Sequence, residues 1–184
     1  MSVMRGILSR LVCAGILTGL VDGLFASVLS VVFYHSTVTR LFQGVASTLL
    51  GLEAFAAGSR AALVGVVMHF GVAFGWSAVF LFVLMRSSWI RRVLASRHGV
   101  AKVASLYGPF VWIVMSLAVI PLLTHRPPVI GVRWWIQFFG HFPFVGVPIV
   151  ACLGTSSLLH GSGSPLAAIF PRAPHHSTPR ENEK

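Results

Sequence analysis

The stretch that decides the fold is Ile7–Phe33, ILSRLVCAGILTGLVDGLFASVLSVVF. A helix needs about 20 apolar residues to cross the hydrocarbon core of a bilayer. This run exceeds that, so it reads as a membrane span with length to spare for tilt. Arg5 and Arg10 ahead of it imitate a signal peptide, but the apolar core of a signal peptide is only about 7–15 residues long. The run is therefore expected to be retained. Gly15, Gly19, Gly23 and Ser27 recur every fourth residue and line one helical stripe, where another helix can approach closely. Inside the same run sits Asp22, one of only four acidic residues in the chain. A carboxylate at bilayer depth costs about 2.5–3.5 kcal/mol on insertion scales, so it is expected to face protein or water rather than lipid.

Composition extends this reading to the whole chain. Of its 184 residues, 55% are hydrophobic and only 10% charged, and mean hydropathy is +0.84. Soluble domains carry about 25% charged residues. The formal net charge of +10 does not point to nucleic acid, because no segment is both basic and polar enough to form such a face. It fits the basic bias of the cytoplasmic side of membrane proteins. Cys13 and Cys152 both fall in apolar runs and read as small core residues rather than a disulfide pair or a metal site.

Three further spans are expected, at about 61–85, 103–123 and 134–158, against about 7–33 for the first. The second carries Ala61, Gly65, His69 and Ala73 on one face, so His69 is placed against protein. Gly71 and Gly75 form another small pair. In the fourth, Pro143 and Pro148 are expected to kink the helix and free backbone carbonyls. Trp134 and Trp135 suit an aromatic belt at the membrane surface. Between the first two spans, Thr37 or Thr39 can cap a helix over about 38–51, with Leu41, Phe42, Val45, Leu49 and Leu50 at helical spacing and Gly51 as its stop. That helix is too short to span, and Arg40, Gln43 and Ser47 give it a polar side, so it is expected to be amphipathic and to lie on the outer ends of the spans. Residues 161–184 read as a disordered cytoplasmic tail. The adjacent His175 and His176 belong to it and read as plain tail rather than metal ligands.

Orientation follows from counting Lys and Arg. Ten lie at the two termini and in the connection from Arg86 to Lys102, against four (Arg40, Arg60, Arg126, Arg133) on the other side. This predicts both termini on the cytoplasmic face. On the expected boundaries and a rise of 1.5 Å per residue, His69 lies about 12 Å, His141 about 10 Å and Asp22 about 16 Å from the outer ends of their helices. The three are thus expected to reach a similar level in the outer half, with Gln43 as a further candidate member of a buried polar cluster.

Such a cluster can be structural, each group hydrogen-bonding a neighbour for about 0.6 kcal/mol. It can relay protons or ions, as intramembrane Asp and His do. Or His69 and His141 can be the axial ligands of a haem b. A zinc hydrolase would need three ligands and a base, and only Asp22 and Gln43 remain to serve. No G-x-S-x-G and no phosphate-cradling glycine motif occurs, so no catalytic residues are assigned.

The latter half of the chain resembles the YagU-like bacterial inner-membrane proteins. The resemblance rests on Pro121-Leu122, Pro127-Pro128-Val129, Trp134-Trp135 and Phe139-Gly140-His141, and on Met68-His69-Phe70 followed by Ala73 and Phe80. Asp22, Arg40, Gln43, Ala46-Ser47 and Leu50-Gly51 are similar to features of other small bacterial four-span proteins. The resemblance implies an inner-membrane location and supplies no substrate. Taken together, the sequence predicts an all-α polytopic membrane protein with four spans and an amphipathic outer-side helix. The expected function is that of a non-enzymatic accessory or scaffold subunit, packing through its glycine faces in a homo-oligomer or a larger membrane complex. A small transporter or channel, and a haem-binding redox protein, are the alternatives.

Overall fold

The computed structural model describes residues 2–154; their regular structure is all helical, with no strand among them. Four helices are long and apolar enough to cross a membrane: span 1 (Met4–Phe33), span 2 (Gly58–Arg86), span 3 (Gly99–Thr124) and span 4 (Val132–Leu153). The sequence-based bounds are extended by two to four residues at the starts of spans 1 to 4. The expected end of span 4 beyond residue 154, the proposed tail and His175 and His176 lie outside the described residues.

Apolar side chains fill the core and also cover much of the outside of the bundle. Leu8, Leu20 and Leu24 on span 1 are more than half exposed, whereas Thr18, Ser30, Ser77, Ser116 and His141 are buried. In water this arrangement would leave a large apolar surface bare. Surrounded by lipid tails, the leucines meet a medium as apolar as themselves, and Ser77, Ser116 and His141 find hydrogen-bond partners inside.

Successive spans run antiparallel, as side-chain contacts along each pair show. Phe74 fills the notch at Gly15 and Phe70 the notch at Gly19, pairing spans 1 and 2. Phe25 fits against Gly140 and stacks on Phe144 at 4.3 Å between centroids, pairing spans 1 and 4. At the end of span 1, Arg133 lies 4.2 Å over the ring of Tyr34. Spans 3 and 4 touch backbone to backbone: a Cβ on Gly108 would strike the carbonyl of His141, and one on Gly146 the carbonyl of Ala104. Spans 2 and 3 are bridged by rings instead, with Trp76 and Phe80 edge-on to Tyr107 and the Tyr107 hydroxyl donating to the Trp76 carbonyl at 2.6 Å.

Between spans 1 and 2, Thr37 caps the Val38–Leu50 helix by accepting from the Arg40 N–H at 3.1 Å, and Gly51 ends it at φ +71°. This helix packs along the first turns of span 2. Phe42 lies backbone-on against Gly65, and Ala46 clusters with Ala61 and Ala54. It also contacts the Ile120–Thr124 end of span 3.

The spans depart from regular α-helix in places, and two of these departures involve proline. A π-helical turn at Met115–Val119 precedes Pro121, and another at Phe142–Gly146 contains Pro143. Proline cannot donate its hydrogen bond and crowds the carbonyl four residues back, and a wider turn relieves that clash. Trp134 departs from the surface-belt expectation. Its indole N–H donates inward to the Ser116 hydroxyl at 2.9 Å, leaving Trp135 as the exposed member. The cysteines also differ from expectation. Cys13 is exposed, Cys152 is half-buried, and their sulfurs lie 3.7 Å apart.

Candidate functional site: a polar level across the bundle

With the observed bounds, His69 lies eleven residues into span 2, His141 nine into span 4, and Asp22 eleven before the end of span 1. At 1.5 Å per residue all three sit about 14–17 Å from the same end of the bundle. Asp22 and His69 both lie within electrostatic range of His141.

Each group is held by its helix neighbours. His69 reaches across from span 2 into the glycine stripe of span 1. Its Nε2 is 2.9 Å from the Gly19 carbonyl, and a Cβ on Gly23 would stand 3.2 Å from that nitrogen. Gly23 is therefore the reason the imidazole fits. The carbonyl can only accept, so Nε2 carries the proton and Nδ1 keeps a lone pair in the neutral ring. Phe42 and Phe70 stand edge-on to this ring at 5.9 Å. His141 is 7% exposed, and its Nδ1 donates to the Gln137 carbonyl one turn earlier at 2.7 Å. Its lone pair is thus on Nε2. The ring packs 4.8 Å from the Trp112 ring of span 3.

Asp22 is the exception. Its Oδ1 is buried and has no hydrogen-bond partner. Thr18, one turn earlier on the same helix face and 2% exposed, also has an unpartnered hydroxyl, and so does the buried Trp112 indole nitrogen. Buried polar atoms are paired in the great majority of cases. Here three such atoms lie on spans 1 and 3 around a histidine level. Chemically, the set offers one carboxylate, two imidazoles with free lone pairs, one hydroxyl and one indole donor. It can accept, pass on or hold a proton, or bind a small polar species.

Gln43 is not part of this level. Its side-chain amide donates to the Gly58 carbonyl at 3.0 Å and ties the Val38–Leu50 helix to the start of span 2. Gly15, Gly19 and Gly23 serve the packing expected of them, but the partners they admit are rings rather than a helix backbone. Gly65 alone of the four admits backbone, that of Phe42. Thr18 was legible as the i−4 neighbour of Asp22. Trp112 carried no signal, because a tryptophan in an apolar run looks like any other large core residue.

For haem, His69 would have to surrender its bond to Gly19 or ligate through Nδ1 between two phenyl rings, and Trp112 crowds His141. Among the described residues no group of three or more His, Cys, Asp or Glu stands ready to hold a metal ion. No protein-family model matches this chain, and no match was found among curated proteins or solved structures.

Proposed function

We propose that the chain is a small integral membrane protein whose interior exchanges protons, or passes a small cation, through Asp22, His69 and His141. The observation that carries this reading is the buried Asp22 oxygen left without a hydrogen-bond partner beside two imidazoles that are each satisfied by a carbonyl. A cluster serving only to hold helices together would give each buried polar atom a partner, because a buried acceptor left without a donor costs stability. Asp and His inside membrane spans are the residue types that mark proton and ion paths. The charge count supports an orientation with both termini inside, and the YagU-like resemblance supports the bacterial inner membrane. On this orientation the polar level is in the outer half, and the Val38–Leu50 helix lies beside the outer turns of span 2.

The test is proton or cation flux in proteoliposomes. Wild-type protein should carry flux and Asp22→Asn should abolish it. Equal flux in the two, or none in either, refutes the reading.

A second reading, an accessory or scaffold subunit or a homo-oligomer, is favoured by Gly71 and Gly75. Both are exposed on span 2 with open space where a Cβ would stand. The Gly15–Gly23 stripe no longer supports that reading, because span 2 of the same chain occupies it.

A further inference from the structure

We propose that Cys13 and Cys152 form a thiol pair that oxidises to a disulfide, stapling span 1 to span 4. They are the only cysteines in the chain, 139 residues apart in sequence, and their sulfurs approach to 3.7 Å. A disulfide needs about 2.05 Å between sulfurs, so closure requires a further approach of about 1.7 Å, within the reach of side-chain rotation where two helices already touch. Spans 1 and 4 do touch here, along the same face that brings Phe25 to Gly140.

The position makes the pair reachable. Cys152 is one residue from the end of span 4 at Leu153, and Arg10 lies one turn before Cys13 within electrostatic range of Cys152. An arginine at this point can reach its guanidinium toward the headgroup level along its long side chain. Cys13 is the more exposed of the two, so it is the one that a small neutral oxidant dissolved in the lipid meets first.

The oxidant is hydrogen peroxide, small and neutral enough to enter the interface. The Cys13 thiolate attacks the peroxide oxygen. The O–O bond breaks, a sulfenic acid forms on Cys13, and the departing hydroxide takes up a proton as water. The Cys152 thiol then attacks the Cys13 sulfur and gives up its proton to the departing hydroxyl. The S–S bond forms, and the hydroxyl leaves as a second water. Two thiols lose two electrons and one peroxide gains them. The inference is independent of the role of Asp22, although the staple would fix the two helices that carry Asp22 and His141.

The test uses the full chain in lipid nanodiscs treated with hydrogen peroxide. Alkylatable thiols should fall from two per chain to none, with no dimer on a non-reducing gel. The intact mass should drop by two hydrogens, a peptide joining Cys13 to Cys152 should appear, and dithiothreitol should restore both thiols. Thiols that remain alkylatable, a mass gain from added oxygen, or cross-linked dimers would each overturn the proposal. In Cys152→Ser, dimedone should label Cys13 after peroxide. No label there, with the disulfide still forming in wild type, would overturn Cys13 as the first thiol attacked.

Discussion

Replacing Gly65 by alanine tests the packing of the Val38–Leu50 helix on span 2. An ideal Cβ at this position would strike the carbonyl oxygen of Phe42, with the Phe42 Cα only 3.2 Å away. Carbon and carbonyl oxygen normally approach to about 3.3–3.6 Å, so the helices must separate by about an ångström or more. Backbone atoms have no rotamer to escape into, so the overpacking penalty should reach about 3 kcal/mol, the upper end of its usual range. Separation also loosens the Gln43–Gly58 bond, a further 0.6 kcal/mol or so. Alanine returns about 1 kcal/mol through its better helix propensity. The net loss is about 2–3 kcal/mol, or about 4–12 °C in melting temperature at 2–4 °C per kcal/mol for a chain of this size. Gly71→Ala is the internal control. The same chemical change on the same span meets nothing within 4 Å, so only the propensity gain applies. The assay is thermal unfolding of both variants in one mild detergent, followed by tryptophan fluorescence. If the helix lay apart from span 2 on the membrane surface, Gly65 would face lipid and the two variants would melt together. That result would refute the packing argued here.

Asp22→Asn should fold and melt at or above the wild-type temperature even as it abolishes flux, because the buried Asp22 Oδ1 makes no hydrogen bond for the amide to lose. A drop of more than about 1 kcal/mol in detergent unfolding would instead show that the carboxylate holds the bundle together. Tyr107→Phe removes the hydroxyl bonded to the Trp76 carbonyl and should cost about 0.6–1.7 kcal/mol by the same measurement. An alkaline phosphatase fused after Lys184 should be inactive in cells, and an active fusion would overturn the orientation.

How far the sequence reveals this arrangement depends on what each residue type has to satisfy. Long apolar runs declare spans because backbone hydrogen bonds in lipid can be closed only within the helix, and the Thr37 and Gly51 caps bound the connecting helix by local chemistry alone. The level shared by Asp22, His69 and His141 is also readable, because rise per residue converts sequence position to depth. Azimuth is not readable in the same way. Gln43 belongs by residue type with the cluster, yet it turns to the Gly58 carbonyl. That carbonyl lies at a helix start where the chain enters with Gly58 at φ +63°, a backbone feature no periodicity encodes. Trp134 faces Ser116 and not the lipid surface, because a hydroxyl one helix away offers its N–H a partner.

The two cysteines show the same limit most plainly. Nothing in the spacing of two lone thiols relates span 1 to span 4. Their meeting follows only once Phe25, seated in the gap at Gly140, sets the register of those two helices. That register also carries Asp22 to the level of His141. Gly140 is therefore the position at which one added methyl should separate both pairs at once. In Gly140→Ala, where the new Cβ would collide with the Phe25 ring, disulfide formation under peroxide and Asp22-dependent flux should fall together. If thiol pairing fails in that variant while flux persists, the polar level does not depend on the register of spans 1 and 4, and the relay must be sought between spans 1 and 2 alone.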